Sequence, residues 1–290
     1  MYPMNIKLFT MVKDEVDIIK EWILYHGYLF GYTNLFIVDN FSTDGTFECI
    51  QEFKQLGVNI FREEDYIQKG NIMTKLIREY CSNGIAYPID IDEFIVLYDK
   101  PNNTISADKD TILHYFSSLP VRPVYKTNYI ISKITNDGYK NAVEESVCGT
   151  YSDYGHFAKS FFHTSLFNDS IDHGNHYCTE EYFFTDLVLL HYHHRSLDQM
   201  KKKIYNNVQG LGYDIHNMEE LKRLEINGCS GHHHVKNIIQ LLENRYALPT
   251  HTHNVEDCLL KPFSDLMLTL KSPMEATPNL PNSPHDVLIN

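Results

Sequence analysis

Three acids interrupt an otherwise apolar run, YPIDIDEFIVLY (87–98): Asp90, Asp92 and Glu93 stand among Ile89, Ile91, Phe94, Ile95, Val96 and Leu97. A carboxylate is rarely buried without a partner or a metal, because desolvating its charge is expensive. Something cationic should therefore face this run. If the run is a regular strand, Asp90 and Asp92 point to one face and can grip one divalent ion together, or divide a metal and a ribose hydroxyl between them. A second constellation is LVLLHYHHRS (187–196), an apolar run that ends in His191, His193 and His194 with Arg195 beyond. Imidazole is a good ligand for Mn²⁺ beside carboxylates, and a guanidinium can offset phosphate charge. By strand alternation His191 and His193 share a face and His194 points the other way. The third is FIVDNFSTDGT (36–46), which sets Asp39 at the end of an apolar strand, before a turn of Asn40, Ser42, Asp44 and Gly45. There a carboxylate can accept from a base or ribose donor. The plainer alternatives are a turn cap for the third stretch and solvated strand-end histidines for the second.

Regular elements must position these groups, and the first hundred residues alternate strand and helix patterns. Strand-like runs at 6–12, 34–40, 58–62 and 85–97 are separated by helical stripes of Ile18, Ile19, Trp22, Ile23, His26 and Leu29, then Phe47, Ile50, Phe53 and Leu56, then Ile72, Leu76 and Tyr80. Such alternation predicts a parallel sheet covered on both faces, with ligands at the carboxyl ends of its strands. Residues 100–190 lose the rhythm and read as added, partly antiparallel strands around an acceptor. Ser196 with Gln199 caps a helix carrying Leu197, Met200, Ile204 and Val208, and Asn217 with Glu220 caps another. The reading is one domain over 1–210, with a nucleotide-binding half 1–100 and an acceptor-binding half 100–210. A helical extension (211–270) and a flexible tail (271–290) follow.

At 290 residues and 43% hydrophobic the chain has ample material for a core, and a formal net charge of −13 argues against nucleic acid as a partner. No basic flank with an apolar segment opens the sequence, and no run approaches a membrane span, so a cytoplasmic location is expected. Six scattered cysteines without ligand spacing read as reduced thiols. The GHHH run (His232–His234) and His251 with His253 read as solvated or helix-start histidines.

The stretch MVKDEVDIIKEWILYHGYLFGYTNLFIVDNFSTDGT resembles the N-terminal half of a GT-A fold nucleotide-sugar glycosyltransferase, in the group spanning family 2 and family 92. DIDEF resembles that group's DxD signature, KSFFHTSLFNDSIDH (159–173) its Lys-Ser segment, and LHYHHRS its C-terminal His segment. The resemblance covers about 6–205 and implies an α/β fold: a Rossmann-like, mixed and mainly parallel sheet flanked by helices, with a helical C-terminal extension. It further implies a metal-dependent inverting enzyme moving a hexose from a UDP-sugar to a hydroxyl of a glycan or glycoconjugate. Implied nucleotide-sugar contacts are Thr10, Val12, Asp39, Lys69, Asp90 and Ile91; implied ligands of Mn²⁺ (or Mg²⁺) are Asp90, Asp92 and His191. Inversion requires a general base, and Asp172, Glu145, Glu144 and Asp153 are the candidates, with Asp172 first and Glu145 beside it. One departure is His163 and Thr164, where relatives tend to carry Arg-Pro. The rival readings are a non-catalytic nucleotide- or glycan-binding protein on the same fold and a sugar-phosphate nucleotidyltransferase, although FTMVKDEVD lacks the glycine-rich loop the latter needs.

Overall fold

The computed structural model describes residues 5–134, 139–176, 181–248 and 258–270. β1 (Ile6–Val12), β2 (Leu35–Asp39), β3 (Asn59–Arg62) and β4 (Ile85–Pro88) alternate with α1 (Ile19–Phe30), α2 (Thr46–Glu52) and α3 (Lys69–Tyr80). These four strands pair parallel in the order β3-β2-β1-β4. β1, β2 and β4 are apolar almost throughout because both of their faces are covered, whereas β3 at the edge is half-buried. Leu8 and Val12 join Trp22 and Ile23 of α1 in one core cluster, while the alternate residues Phe9 and Met11 join Met73, Leu76 and Ile77 of α3 in another. Strand alternation thus separates two cores on opposite faces of one sheet.

The acidic run is not a single strand. β4 ends at Pro88, the chain turns so that the Glu93 amide donates to the Asp90 carbonyl at 3.1 Å, and β5 (Glu93–Asp99) departs elsewhere in the sheet. The expectation that Asp90 and Asp92 share a face by alternation is therefore corrected. A turn lifts both acids to the carboxyl end of β4, whereas a continuous strand would drive one set of charges into a core.

β6 (Thr104–Ser106), α4 (Lys109–Ser118), β7 (Val124–Ser132), α5 (Ala142–Glu145), β8 (Gly149–Ser152), β9 (Lys159–His163) and β10 (Tyr182–His191) complete the α/β portion. The sheet continues β4-β9-β7-β10-β5-β6, with β8 on β7. It is mixed: β9 is antiparallel to β4 and β7, and β10 runs parallel to β7 but antiparallel to β5. In register, His191 stands opposite Glu93, so the end of β10 meets the acidic turn.

A helical extension follows, and the expected caps are in place: Ser196 accepts from the Gln199 amide and Asn217 from the Glu220 amide. α6 (Leu197–Gly210), α7 (Met218–Asn227) and α8 (His232–Leu242) share their own apolar cluster, built on Met200, Ile204, Val208, Leu221, Val235 and Ile238. Packing does not divide at residue 210, since α6 belongs with the helices after it. α9 (Lys261–Thr269) returns to the main core, where Phe263 lies edge-on to Tyr25 with ring centroids 4.9 Å apart. His251, His253 and the expected tail (271–290) lie outside the described residues. Among those described, no helix is long and apolar enough to cross a membrane.

Candidate functional site

The turn after β4 splits its acids between two environments. Asp90 lies between two lysines: Lys69 Nζ donates to one oxygen and Lys159 Nζ to the other, each at 2.7 Å. Lys159 is 1% exposed and also pairs with Glu93 Oε1 at 3.2 Å, while Glu93 Oε2 accepts from the Asp90 amide at 2.7 Å. Burial opposes the Asp90 charge, but Lys159 and Lys69 together outweigh it and hold the carboxyl far below the usual range. Glu93 goes the other way: burial raises its pKa against the pull of Lys159.

Asp92 is 2% exposed and faces a different set. Its Oδ2 accepts from Lys203 Nζ of α6, with His191 Nε2 at 3.6 Å and an Arg195 nitrogen at 3.8 Å. Here too burial is outweighed, by Lys203 first and His191 next, so the carboxylate stays ionised. Asp92, His191 and His193 each bring one ligand atom within 4.8 Å of the others. His193 is pushed well below 6.5 by burial, then by Lys203 and His191, which keeps it a neutral imidazole with a lone pair to offer. One ionised carboxylate with imidazoles is a donor set that fits Mn²⁺. Asp90, expected as a ligand, is not in this group, and two lysines hold its oxygens; His193, not expected as a ligand, is in it.

Arg195, expected to face phosphate, is also corrected. It is 2% exposed, donates to Glu15, to Asp17 at 2.8 Å and to the Tyr192 carbonyl at 3.1 Å, and so ties the β1–α1 loop to the end of β10.

A narrow cleft that includes Asp90 of the acidic turn is lined by Thr10, Lys69, Lys159, Asp172 and His173 as well. Thr10 Oγ1 and Asn175 Oδ1, on two of its lining residues, are buried without a hydrogen-bond partner. Orphaned buried polar atoms call for a partner, and the cleft's volume of about 10 Å³ is that of a single water molecule. Asp172 is fixed at the rim, its oxygens accepting from the Gly174 amide at 3.1 Å and the His176 amide at 2.8 Å. The other candidate bases are placed elsewhere. Glu145 Oε1 accepts from the Lys140 and Asn141 amides, both at 2.9 Å, at the start of α5, which packs on α9. Glu144 sits on the same short helix, and Asp153 accepts from the Gly155 amide at 3.0 Å.

Among the expected nucleotide contacts, Val12 and Ile91 have their side chains in the main core, and the Val12 carbonyl accepts from the Asn40 amide at 2.8 Å. Asp39 is fully buried, accepting from the Ser42 amide at 3.1 Å and from Arg62 Nε at 3.0 Å. It closes the β2–α2 turn and orients Arg62.

The sequence reading missed Lys203 and Lys126. Lys126 sits mid-strand at 1% exposure and donates to the Ala158 carbonyl at 3.1 Å, the His156 carbonyl at 3.3 Å and the His176 carbonyl, so it clamps the segment that carries Asp172. A signal existed: a charge inside the apolar run VYKTNYIIS demands partners as surely as the acids of DIDEF do. Lys203 carries no such signal, because an exposed helix face is full of lysines.

No family model matches the chain, and none of the curated proteins matches it. Several solved structures are distantly similar. S. aureus TarS 1–349 in complex with UDP is 12% identical at a TM-score of 0.36, covering 56% of this chain and 47% of that one. This chain therefore spans about half the length of the TarS structure it matches. The mannosyltransferase PcManGT from Pyrobaculum calidifontis, in complex with GDP-Man and Mn²⁺, is 13% identical at a TM-score of 0.40, covering 95% of this chain and 83% of that one. A cytidylyltransferase from Leptospira borgpetersenii is 10% identical at a TM-score of 0.32, covering 56% of this chain and 62% of that one. Likenesses this distant assign no function.

Proposed function

We propose that the chain is a divalent-metal-dependent, inverting glycosyltransferase of the GT-A type, moving a hexose from a UDP-sugar to a hydroxyl of a glycan or glycoconjugate. The observation that carries this reading is the meeting of the acidic turn with His191 and His193 at the carboxyl end of a parallel β/α half, beside a cleft lined by the buried Lys159 and the half-buried Lys69. Bound by Asp92, His191 and His193, Mn²⁺ or Mg²⁺ would supply charge stabilisation to a departing diphosphate. Lys69 and Lys159 bring positive charge to the cleft beside Asp90. Direct displacement needs one base to take the acceptor hydroxyl proton. Asp172 is the candidate that lines the cleft, with two backbone amides orienting its carboxylate. Asp39 serves the base end indirectly, by fixing Arg62 and the β2–α2 turn. The choice of UDP rests on the resemblance alone.

Thermal denaturation with UDP, GDP or CMP, each with Mn²⁺ or with EDTA, tests the reading. UDP with Mn²⁺ should raise the melting temperature, since a ligand at about 100 times its Kd adds roughly 2.7 kcal/mol. UDP with EDTA should do much less. Equal shifts with and without metal would sink the metal-bridged site.

A further inference from the structure

Lys203 occupies a position that the metal reading leaves unexplained. Its Nζ donates to Asp92 Oδ2, the same oxygen that faces His191 Nε2, and lies 3.5 Å from His193 Nδ1. The ammonium therefore sits against two of the three residues that would hold a divalent ion, and 3.8 Å separates the same Asp92 oxygen from Arg195. Asp92 is a single carboxylate whose charge is already balanced by the protein's own cations. A divalent ion on that oxygen would stand within a few ångströms of the ammonium hydrogen-bonded to it, and like charges that close in a half-dry site repel strongly. Arg195 cannot leave, being locked by Glu15, Asp17 and the Tyr192 carbonyl. Lys203 can: its Cα is fixed on α6, but four side-chain torsions separate it from the charge, and its side chain keeps 16% exposure.

We infer that Lys203 is a resident counter-cation that a divalent metal must displace from Asp92, and that the displaced ammonium becomes a ligand of the donor's diphosphate. This rests on the metal-dependent reading above and adds a coupling to it. Without an anionic ligand, metal binding leaves Lys203 beside His193 with only Glu15, a carboxylate already bonded to Arg195, to face, so metal alone binds weakly. With a nucleoside diphosphate present, the ammonium has a new anion and metal binding is strengthened. Linkage makes the effect reciprocal: the metal strengthens diphosphate binding by the same factor. Lys203 is thus a positioning residue that makes the two ligands arrive together.

The test is Mn²⁺ affinity, read by calorimetry and by electron paramagnetic resonance of free Mn²⁺, with and without UDP, on the full chain. Lys203→Gln should bind Mn²⁺ alone about tenfold or more tighter than the parent, and the gain in Mn²⁺ affinity on adding UDP should shrink by a similar factor. Lys203→Arg keeps a cation at the site and should bind Mn²⁺ alone as weakly as the parent. It also guards against a Gln variant that fails to fold. Mn²⁺ affinity in Lys203→Gln equal to or weaker than the parent's, with the parent still binding Mn²⁺ in UDP, overturns the displacement alone. If neither protein binds Mn²⁺ with or without UDP, the metal-dependent reading falls and the displacement with it.

Discussion

Asp92 is the residue on which most of the site converges, since Lys203, His191 and Arg195 all approach its one oxygen. Asp92→Asn removes that charge with little change in volume. Loss of a single outer-shell partner in a metal site costs about 10- to 100-fold, and loss of a charged ligand should exceed that in turnover and in apparent Mn²⁺ affinity. It should also lower the melting temperature, because breaking a buried pair from one side costs about 3–5 kcal/mol. An Asp92→Asn variant that keeps its Mn²⁺ titration would show that the acid is only a structural partner of Lys203. The histidines separate by the same measurement: His191→Ala and His193→Ala should each weaken Mn²⁺ binding, while His194→Ala should leave it unchanged. An unaltered titration in His193→Ala removes it from the ligand set. Much of this was legible in the sequence, because unpaired acids in an apolar run and histidines two apart at a strand end are unusual on energetic grounds. The partition of the acids was not. Which carboxylate goes to lysines and which to imidazoles depends on Lys159 and Lys203, brought in from 69 and 111 residues away.

The elements of the first half were readable because helical periodicity and strand-length apolar runs alternate without overlap, and the order β3-β2-β1-β4 follows from short crossovers. The break after Pro88 escaped because β4 and β5 are equally apolar, and only the acids between them mark the turn. The second half depends on non-local pairing, in which β9 is inserted between β4 and β7, and no local pattern specifies it. One close approach between elements decides where the candidate base sits. α3 begins against the 171–172 segment: a Cβ on Gly70 would meet the Ile171 carbonyl oxygen at 2.4 Å and the Asp172 carbonyl carbon at 3.1 Å. Thr74 reinforces the contact, its hydroxyl accepting from the Ile171 amide at 3.0 Å and donating to the Gly70 carbonyl at 2.7 Å. Gly70→Ala should therefore push the Asp172 segment outward, at a cost of about 1–3 kcal/mol from overpacking. Turnover should fall while Mn²⁺ affinity at Asp92, His191 and His193 holds, because those residues sit on other elements. Denaturation, turnover and a Mn²⁺ titration on the same variant decide it, and unchanged turnover with the predicted loss of stability would take Asp172 out of the reaction.

For the whole molecule, a net charge of −13 coexists with cations folded inside, Lys126, Lys159 and Arg195 among them. Stability should accordingly depend on pH through two sets of groups with different windows. Asp90 and Asp92 have folded pKa values below their unfolded ones; the stability they add is present above the unfolded value near 4 and is lost as pH falls toward the folded value. Three histidines, the buried His26 and the half-buried His176 and His234, act earlier. Burial lowers His26 from 6.5 to about 3, His176 to about 4 and His234 to about 3. Below pH 6.5 the unfolded chain takes up protons that these folded imidazoles refuse, so stability drops as the medium is acidified, well before the carboxylates titrate. His26 has the tightest surroundings: Nδ1 bonds the Trp22 carbonyl at 3.0 Å, and Trp22, Tyr25 and Phe94 rings enclose the imidazole at 4.5, 5.2 and 5.7 Å. At about 1.4 kcal/mol per pH unit, His26 alone should remove roughly 2 kcal/mol of stability between pH 6.5 and pH 5. His26→Gln cannot protonate, so its denaturant midpoint should start lower at pH 7.5 yet fall less steeply across that interval. Parallel slopes for the two proteins would mean that the imidazole finds a proton acceptor in the folded core, against the closed aromatic setting around it.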